Sequence, residues 1–558
     1  MDCLKAVREY ILSLIEKSGK DQIKTLILDA ETTKIVSMAF SQSDLLKHEV
    51  YLFERLDGSA RSNMSQVVAI VFVRPTQENF GLLIKELRSP AYKNYHIFFS
   101  STIDRQNLKE LAEADSNEVV HTVQEIFADY QPYGAHLYNI PVAKMSSSQI
   151  GEIDLRRITD GLMALLLSIR RYPTAIKYSK SSNNCLRVCE RLTSNVSRER
   201  ELFQQAGKND VTLVILDRRD DAATPLLMQW TYEAMLHEIL TLTNNCIDLT
   251  GISGVPKELQ KIMITADSDD FYANNLYLNF GEIGQNIKKM VEDFTRQKQI
   301  NQKVDSIQDM KTFVENYPAF KKQSGTVNKH VVLVEELSKR VGRHKLLQVS
   351  EVEQNICASD DLAEITQSIR DLIEDKDVNA SAILRVVALF ALKFGSANEQ
   401  TLRSLSASAC QAKQINRTEF DSNIRGIRDY SSGIQIGESS SEKVLGAAKK
   451  LFRGVQGVEN IYTQHVPPFR DILENVAKGR PDNRLKSYGP NPQAASSRDV
   501  ICFIIGGVTY EESFHIYKLN KELAGNSRIT IGGSSMLNSR LFLSQIVQSN
   551  PSTSPQTV

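Results

Sequence analysis

The sequence has no long apolar run, no excess of either charge and no even set of cysteines. Its longest apolar stretches, such as LMALLLSI at residues 162–169, are too short to cross a bilayer. Lysine and arginine total 67, as do aspartate and glutamate, so bulk attraction to nucleic acid or anionic lipid is not expected. Seven dispersed cysteines favour free thiols in a reducing compartment over a disulfide framework. We therefore predict a cytoplasmic protein that reaches membranes only through partners.

Motifs of nucleotide and metal chemistry are also missing. Neither Gly-Lys pair, at residues 19–20 and 207–208, is followed by Ser or Thr, which excludes a P-loop lysine. The glycine-rich stretches IGGVTYEES and IGGSSMLNS follow apolar runs but lack the spacing of a dinucleotide-binding turn. The sequence predicts no cofactor and no metal.

Strand-like runs alternate with helical patterns in the first part of the chain. TLILD, VYLFERLD, VVAIVFV and HIFFS are apolar runs separated by segments such as ENFGLLIKELR. This alternation is typical of a parallel sheet covered on both faces by helices. It predicts an α/β domain over residues 1–132.

The rest of the chain indicates a second α/β domain with a helical insertion. A helical pair over residues 154–178 and 185–204 precedes the strand VTLVILD, and residues 271–473 are mostly helical. VICFIIGGVT and RITIGGSS then form a lone βαβ unit, which cannot bury both of its faces alone and so completes the earlier domain. The predicted boundaries are 133–244 and 479–548 for the split domain, 245–478 for the helical domain with a hairpin near 281–345, and 549–558 for a disordered tail.

A charged run, Asp217 to Asp221, follows the strand VTLVILD, where α/β enzymes often hold catalytic acids. A phosphoaspartyl enzyme needs two aspartates two positions apart directly after the strand, but Arg219 occupies the second position. Thr224 and Pro225 suit the start of a helix, and that predicted helix carries the only tryptophan, Trp230, and is apolar on most faces. We interpret the stretch as a buried structural corner.

The stretch LDAETT, residues 28–33, resembles the first metal-binding motif of proofreading-type exonucleases. Such a site needs two metal ions held by four carboxylates, with a His or Tyr to activate water. No histidine has Asp five residues later and no tyrosine has Asp four residues later, so the matching third motif is missing. Asp29 as the end of a strand is the favoured interpretation, and a metal-dependent hydrolase or exonuclease using Asp29 and Glu31 is the alternative.

Three segments together resemble the Sec/Munc (SM) family, which binds syntaxins and SNARE complexes and promotes vesicle fusion. They are LDRRDDAATPLLMQWTYEAMLHEIL, ENYPAFKKQSGTVNKHVVLVEELSKRVG and VICFIIGGVTYEESFHIYKLNKELAGNSRITIGGSSMLNSRLFL. LDAETTKIVSMAFSQSDLLKHEVYLFERLD, VRPTQEN and LAEADSNEVV are most similar to the endosomal branch. The resemblance implies a non-enzymatic, three-domain arch with two parallel-sheet α/β domains and a largely helical domain inserted in the second.

The resemblance also implies partners and sites. The partners are an endosomal or trans-Golgi syntaxin (a Qa-SNARE), the assembled SNARE complex and an R-SNARE, with peripheral attachment to Golgi and endosomal membranes through SNAREs. The implied sites are an N-peptide pocket (Ile103, Leu108, Leu111, Val120, Val123, Glu125), a central cavity (Asp29, Lys34) and a SNARE-binding hairpin (Pro318, Val327, Val331, Val334). The alternative for the pocket residues is that they only pack a helix on the sheet, and for Leu111 both interpretations stay open.

Overall fold

The computed structural model divides the protein into two compact units. Unit 1 is Met1–Arg218, Phe469–Val508 and His515–Met536, and unit 2 is Arg219–Pro468, Thr509–Phe514 and Leu537–Val558.

The structure describes residues 2–19, 22–58, 63–142, 149–206, 210–302, 307–431, 464–489 and 499–548. Within these ranges, side chains are described except at residues 204–206, 297, 299–302, 307–320 and 547–548. The predicted tail at 549–558 lies outside the described residues.

Strands and helices are numbered separately in chain order. The strands are β1 (Lys24–Leu28), β2 (Val50–Arg55), β3 (Met64–Val73), β4 (Tyr92–Phe99), β5 (Val120–Glu125), β6 (Gln131–Pro132), β7 (Leu137–Asn139), β8 (Tyr172–Ser179), β9 (Asp210–Asp217), β10 (Cys246–Asp248), β11 (Lys261–Met263), β12 (Leu485–Tyr488), β13 (Val500–Ile505), β14 (Val508–Thr509), β15 (Ile529–Gly533) and β16 (Met536–Leu537).

The helices differ widely in length, and short 3₁₀ or π turns connect several of them. The turns are Arg200–Ala206, Arg218–Asp220, Thr224–Leu226, Leu236–Leu240 and Lys257–Leu259. The helices are α1 (Cys3–Lys17), α2 (Ala30–Ala39), α3 (Gln42–Leu46), α4 (Gln77–Arg88), α5 (Arg105–Ala114), α6 (Glu152–Ser168), α7 (Asn183–Arg198), α8 (Tyr232–Met235), α9 (Asp270–Asn275), α10 (Phe280–Gln302), α11 (Ile307–Arg343), α12 (Leu346–Ala358), α13 (Leu362–Glu374), α14 (Ala380–Phe394), α15 (Glu399–Lys413), α16 (Arg417–Tyr430), α17 (Pro468–Ala477), α18 (Tyr510–Glu522) and α19 (Ser539–Gln548).

The first sheet of unit 1 is wholly parallel, in the order β2-β1-β3-β4-β5. The apolar runs of β1 and β3 lie inside the sheet and are buried on both faces, as expected for strands covered by helices on each side. β5 is the edge strand and alternates between exposed and half-buried residues. An edge strand and the helix before it therefore present apolar side chains to solvent.

The second sheet of unit 1 combines strands from both ends of the chain. Its order is β12-β8-β9-β13-β15-β7-β6, and β9 pairs in parallel with β13 across the long helical region. The predicted fold class, two α/β sheets with parallel strands and a largely helical region inserted in the second, is confirmed. The residue boundaries of the three domains stay a prediction.

Two predicted elements near the second sheet are wrong. The helix expected over residues 154–178 ends at Ser168, and β8 follows, because Arg170 takes a left-handed backbone conformation and Pro173 cannot continue a helix. Residues 479–499, GRPDNRLKSYGPNPQAASSRD, are polar and predict a loop, yet they contain β12, which pairs antiparallel with β8. Backbone pairing with a strand distant in sequence creates β12, so its own composition gives no signal.

The segment around Trp230 lies in unit 2 and is not the predicted helix. A 3₁₀ turn over Thr224–Leu226 is followed by non-helical backbone, and α8 begins only at Tyr232. The amide of Met228 donates to Glu353 Oε2 at 2.7 Å, so a side chain distant in sequence replaces a helical acceptor. The expected burial is confirmed, since every residue from 221 to 237 is buried.

Helices α12 to α16 supply most of the residues of one apolar core cluster in unit 2. α14 is apolar around nearly its whole circumference, and its buried residues include Val386, Val387, Leu389 and Phe390. A helix with apolar residues on all sides must be surrounded by other elements, which places α14 at the centre of this bundle. None of the helices in the described part of the chain combines the length and apolarity that a membrane crossing requires.

Candidate partner-binding site

A cavity of about 430 Å³ lies at the edge of the first sheet in unit 1. β4 ends at Phe99, α5 returns the chain, and β5 then pairs in parallel with β4, with Phe99 opposite Glu125. This βαβ connection brings the start of α5 and the end of β5 together at one corner of the sheet. The lining residues are Ile103, Asp104, Arg105, Leu108, Val123, Gln124, Glu125, Phe127 and Leu202.

Two carboxylates shape the rim of this cavity. Glu125 Oε1 accepts a hydrogen bond from the amide of Ile103 at 2.7 Å, which ties the loop after β4 to β5. Asp104 is the N-cap of α5, because its Oδ1 accepts from the amide of Asn107 at 2.8 Å. The mouth of the cavity is therefore held by local hydrogen bonds, and its lining combines five apolar residues with four polar or charged ones.

Four of the six predicted pocket residues line the cavity: Ile103, Leu108, Val123 and Glu125. Leu108 and Val123 are 41% and 36% exposed, and both line the same cavity, so they form an accessible apolar patch there. Leu111 is only 2% exposed and belongs to the core between α5 and the sheet. Val120 is half-buried against the same core and does not line the cavity. Of the two interpretations left open for Leu111, the packing one describes its position.

Sequence reasoning missed five lining residues. Asp104, Arg105, Gln124 and Phe127 adjoin predicted positions, so extending the predicted segment by one or two residues would have included them. Leu202 belongs to the 3₁₀ turn Arg200–Ala206 after α7 and reaches the cavity from a distant part of the chain. No local pattern marks Leu202, because its role depends on the packing of the two sheets within unit 1.

Asp29, predicted for the central cavity, has both carboxylate oxygens occupied. Oδ1 accepts from the amides of Glu31 and Thr32, each at 2.8 Å, as the N-cap of α2. Oδ2 accepts from the amide of Arg74 and from Asn79 Nδ2, each at 2.7 Å. Asp29 therefore joins β1, α2 and α4, and little of it remains accessible to a ligand.

The hydrolase alternative finds no support at this position. The second candidate carboxylate, Glu31, pairs with Lys34 at 2.8 Å, and the side chain of Lys34 is only partly exposed. Among the described side chains, no group of three or more His, Cys, Asp or Glu residues is arranged to hold a metal ion. The two-metal chemistry of an exonuclease needs such a group.

The charged run after β9 is a structural corner. Ser182 Oγ donates to Asp217 Oδ2 at 2.5 Å, and Asp221 Oδ1 accepts from the amide of Thr224 at 3.0 Å. Thr224 is thus the first residue of the 3₁₀ turn, with Ala223 and not Thr224 at the N-cap position. The acids stabilise backbone and hydroxyl groups of the fold, as the spacing argument predicted.

The predicted SNARE-binding hairpin corresponds to α10 and α11 in unit 2. Pro318 falls within the bounds of α11, but its side chain lies outside the described residues. Val327 is buried in the packed face of α11, whereas Val331 and Val334 are half-buried. The described part of α11 therefore has one packed face and a partly accessible face beside it.

Comparison with known proteins decides the family. A model of the Sec1 family matches residues 24–545. The chain belongs to the Sec1 family. This is the SM family that the sequence segments resemble, and the prediction of family membership is confirmed.

Members of the Sec1 family from distant organisms resemble the chain over nearly its whole length. Vacuolar protein sorting-associated protein 45 of Mus musculus is 42% identical over 555 residues, which covers 98% of this chain and 96% of the relative. The protein of the same name from Dictyostelium discoideum is 36% identical over 569 residues, covering 99% and 98%. A solved structure described as SM protein Vps45 in complex with Qa SNARE Tlg2 is 36% identical, covers 98% of both chains and has a TM-score of 0.91. The similarity to the endosomal branch is therefore confirmed.

Proposed function

We propose that this protein is an SM-type regulator and chaperone of SNARE assembly. It binds an endosomal or trans-Golgi syntaxin, promotes formation of the SNARE complex, and so supports vesicle fusion in endosomal, trans-Golgi and vacuolar protein transport. The support is full-length similarity to a chain solved with a Qa SNARE, at 36% identity and a TM-score of 0.91. In this proposal the protein is not an enzyme, acts in the cytoplasm, and is peripheral on Golgi and endosomal membranes through its SNARE partners, including an R-SNARE.

The observation that carries the N-peptide part of the proposal is the cavity beside α5. Ile103, Leu108, Val123 and Glu125, which the family resemblance marks for syntaxin binding, are among its lining residues. A few apolar anchors in such a pocket can dominate the affinity of a short peptide. We infer that the N-terminal peptide of a syntaxin binds there, with an apolar side chain in the cavity and a polar contact at Glu125.

The helical core of the syntaxin and its partner SNAREs are proposed to contact the surface near Lys34 and the accessible face of α11. Val331 and Val334 on α11 are suited to contact an amphipathic helix, because they are apolar and half-buried. Holding several SNARE segments on one protein lowers the entropic cost of ordering disordered chains at the moment of assembly. This is the mechanism proposed for the chaperone activity.

The test is a binding measurement with recombinant syntaxin cytoplasmic domains, with and without their first residues. Leu108→Arg should weaken binding of the syntaxin that has its N-terminus by about tenfold or more, because a charge is then placed in an apolar pocket. The variant should remain folded, since Leu108 is 41% exposed. Isothermal titration calorimetry measures the affinity and circular dichroism the fold.

Gln106→Arg is the matched control. It introduces the same charge on the opposite, exposed side of α5, where Gln106 hydrogen-bonds Glu110, and it should leave affinity unchanged. Absence of binding to every endosomal and Golgi syntaxin would overturn the proposed function. Equal affinity for syntaxins with and without the N-terminal residues would overturn only the assignment of the cavity.

A further inference from the structure

The buried face of α11 contains one imidazole in a row of aliphatic side chains. His330 is fully buried, and Val327, Leu333 and Leu337 flank it along the helix at three- to four-residue spacing. A buried polar ring is costly unless its nitrogen atoms have hydrogen-bond partners. Both nitrogens of His330 have one, since Nδ1 lies 2.8 Å from Tyr232 Oη and Nε2 lies 3.0 Å from Asp269 Oδ2.

Asp269 connects this ring to a second helix. Its Oδ1 accepts from the amide of Tyr272 at 2.9 Å as the N-cap of α9, and its carboxylate also pairs with Lys329. Burial opposes ionisation of Asp269, but the hydrogen bonds that it accepts from His330, Lys329 and the amide of Tyr272 outweigh burial, so its pKa lies below the usual range. The carboxylate can therefore only accept hydrogen bonds, and Nε2 of His330 must carry a proton.

The second nitrogen then fixes the direction of the Tyr232 hydrogen bond. With Nε2 protonated and the ring neutral, Nδ1 is an acceptor, and the Tyr232 hydroxyl donates to it. The ring of Phe271 also packs on His330, with the ring centres 4.6 Å apart. We call His330, Asp269, Tyr232 and Lys329 the α11 latch, because together they tie α11 to α8 and α9.

A second proton on His330 would disturb each of these contacts. The new Nδ1–H would face the Tyr232 hydroxyl, which must then turn away and lose the acceptor for its own hydrogen. A second positive charge would also share the Asp269 carboxylate with Lys329. Glu233, the other acid on α8, accepts from the Tyr272 hydroxyl, and burial raises the pKa of Glu233 to about 8, so it is mostly uncharged at neutral pH and offers little compensation.

The direction of the pH effect follows from the burial of the ring. Burial lowers the pKa of His330 and Lys329 lowers it further, while the Asp269 carboxylate raises it, with a net decrease. A histidine with a depressed pKa in the folded state stabilises that state fully above its unfolded value, about 6.5, and loses the contribution as the pH falls below it. The latch is therefore complete at neutral pH and weakens in mild acid.

We propose that His330 is a pH-sensitive positioning residue whose protonation opens the α11 latch and weakens the binding of SNARE helices to α11. This inference rests on the proposed function, since Val331 and Val334, which follow His330 on the same helix, belong to the proposed SNARE surface. His330 itself touches no partner. It acts by holding the helix that presents those two side chains.

Hydrogen–deuterium exchange on the full chain tests the latch without any partner. Between about pH 7.5 and about pH 6.0, exchange in peptides from residues 321–343, corrected for the intrinsic rate, should become up to about fourfold faster, while α14 should not change. His330→Gln should abolish the change, because its amide keeps one donor and one acceptor but does not titrate. Equal pH dependence in wild type and variant, or none in wild type, would overturn the latch. The wild-type comparison is sufficient if the variant does not fold.

A binding measurement separates this inference from the proposed function. The probe is an assembled SNARE complex whose syntaxin lacks its N-terminal peptide, so that the cavity beside α5 does not contribute. Its affinity for wild type should fall by up to about fourfold between the two pH values and stay constant for His330→Gln. Binding that is insensitive to pH would overturn the latch and leave the proposed function intact. No binding at either pH, while exchange in α11 still responds, would overturn the SNARE surface and leave the latch as a structural device.

Discussion

The cavity beside α5 and the segment around Trp230 are both rich in apolar residues, yet the structure treats them in opposite ways. Leu108 and Val123 at the cavity are exposed by more than a third of their surface, whereas Trp230 is 4% exposed. The indole nitrogen of Trp230 donates to Ser350 Oγ at 2.8 Å, so even its polar atom has a partner inside the protein. The cavity keeps apolar surface available for a partner, and the Trp230 segment uses all of its surface for the fold.

This difference separates apolar residues that are buried in the fold from apolar residues that stay accessible. The segment around Trp230 is part of the family resemblance and the cavity residues are implied by it, but similarity between sequences does not separate residues that pack from residues that bind. The separation depends on what remains accessible after folding. Substitutions at the two regions should therefore change different measured quantities, and the following predictions run from the largest expected effect to the smallest.

Trp230→Arg should have the largest effect on stability. It removes a buried indole and its hydrogen bond to Ser350 and places a charge in the interior of unit 2, which together cost more than about 4 kcal/mol. Chemical denaturation of unit 2, followed by circular dichroism, measures the loss. Trp230→Phe, which keeps an aromatic ring, should cost much less. A Trp230→Arg protein with wild-type stability would contradict the assignment of this segment to the fold.

Leu111→Ala should have the next largest effect on stability, and Leu108→Ala is its matched control on the same helix. Leu111 is 2% exposed in the core beneath α5, so truncation should cost about 2–4 kcal/mol. Leu108 is 41% exposed, so the same truncation should change stability by less than about 0.5 kcal/mol while it weakens binding of the syntaxin peptide. Equal losses of stability in the two variants would remove the distinction between the packed and the binding side of α5.

Asp29→Asn should destabilise the protein by about 1–2 kcal/mol. The hydrogen bonds that cap the backbone amides of Glu31 and Thr32 weaken when the acceptor loses its charge. The side-chain NH2 group of the new asparagine also meets the NH2 group of Asn79, so two donors replace a donor and an acceptor. Glu31→Gln is the control. It breaks only the partly exposed pair with Lys34 and should cost less than about 0.5 kcal/mol. Urea denaturation compares the two. A larger effect at Glu31 would contradict the assignment of Asp29 as the structural residue of the motif.

Much of the fold could be predicted from local patterns. Apolar runs alternating with helices predicted the parallel first sheet, and a βαβ unit with no partners of its own predicted that β13 and β15 complete an earlier sheet. Both inferences rest on the need to bury both faces of a strand, and a continuous apolar run in the sequence indicates that need directly. Failed spacing tests at Asp29 and at Asp217 favoured structural roles for both motifs, and the structure shows both acids accepting hydrogen bonds from groups of the fold.

The site was less accessible to such reasoning. The family resemblance found four lining residues of the cavity, but Leu202 comes from a different βα connection and has no local signal. The periodicity of α5 marks Leu108 and Leu111 as equivalent apolar positions, although only one faces solvent. The sequence also did not predict that His330 is buried against α8 and α9. No sequence feature of a histidine in a row of aliphatic residues identifies its hydrogen-bond partners.

The sequence by itself determined the family, the two parallel sheets, the split of the second sheet and the structural role of the charged corners, because these depend on apolar periodicity, on spacing and on segment order. Only the tertiary structure decided that Trp230 lies outside any helix, that Leu108 faces the cavity while Leu111 faces the core, and that His330 meets Asp269. Each of these depends on a side chain or backbone group distant in the sequence: Glu353 satisfies Met228, β4 and β5 orient α5, and α9 supplies the carboxylate. Contacts between distant segments decide burial, and burial decides whether an apolar residue stabilises the fold or remains free to bind a partner.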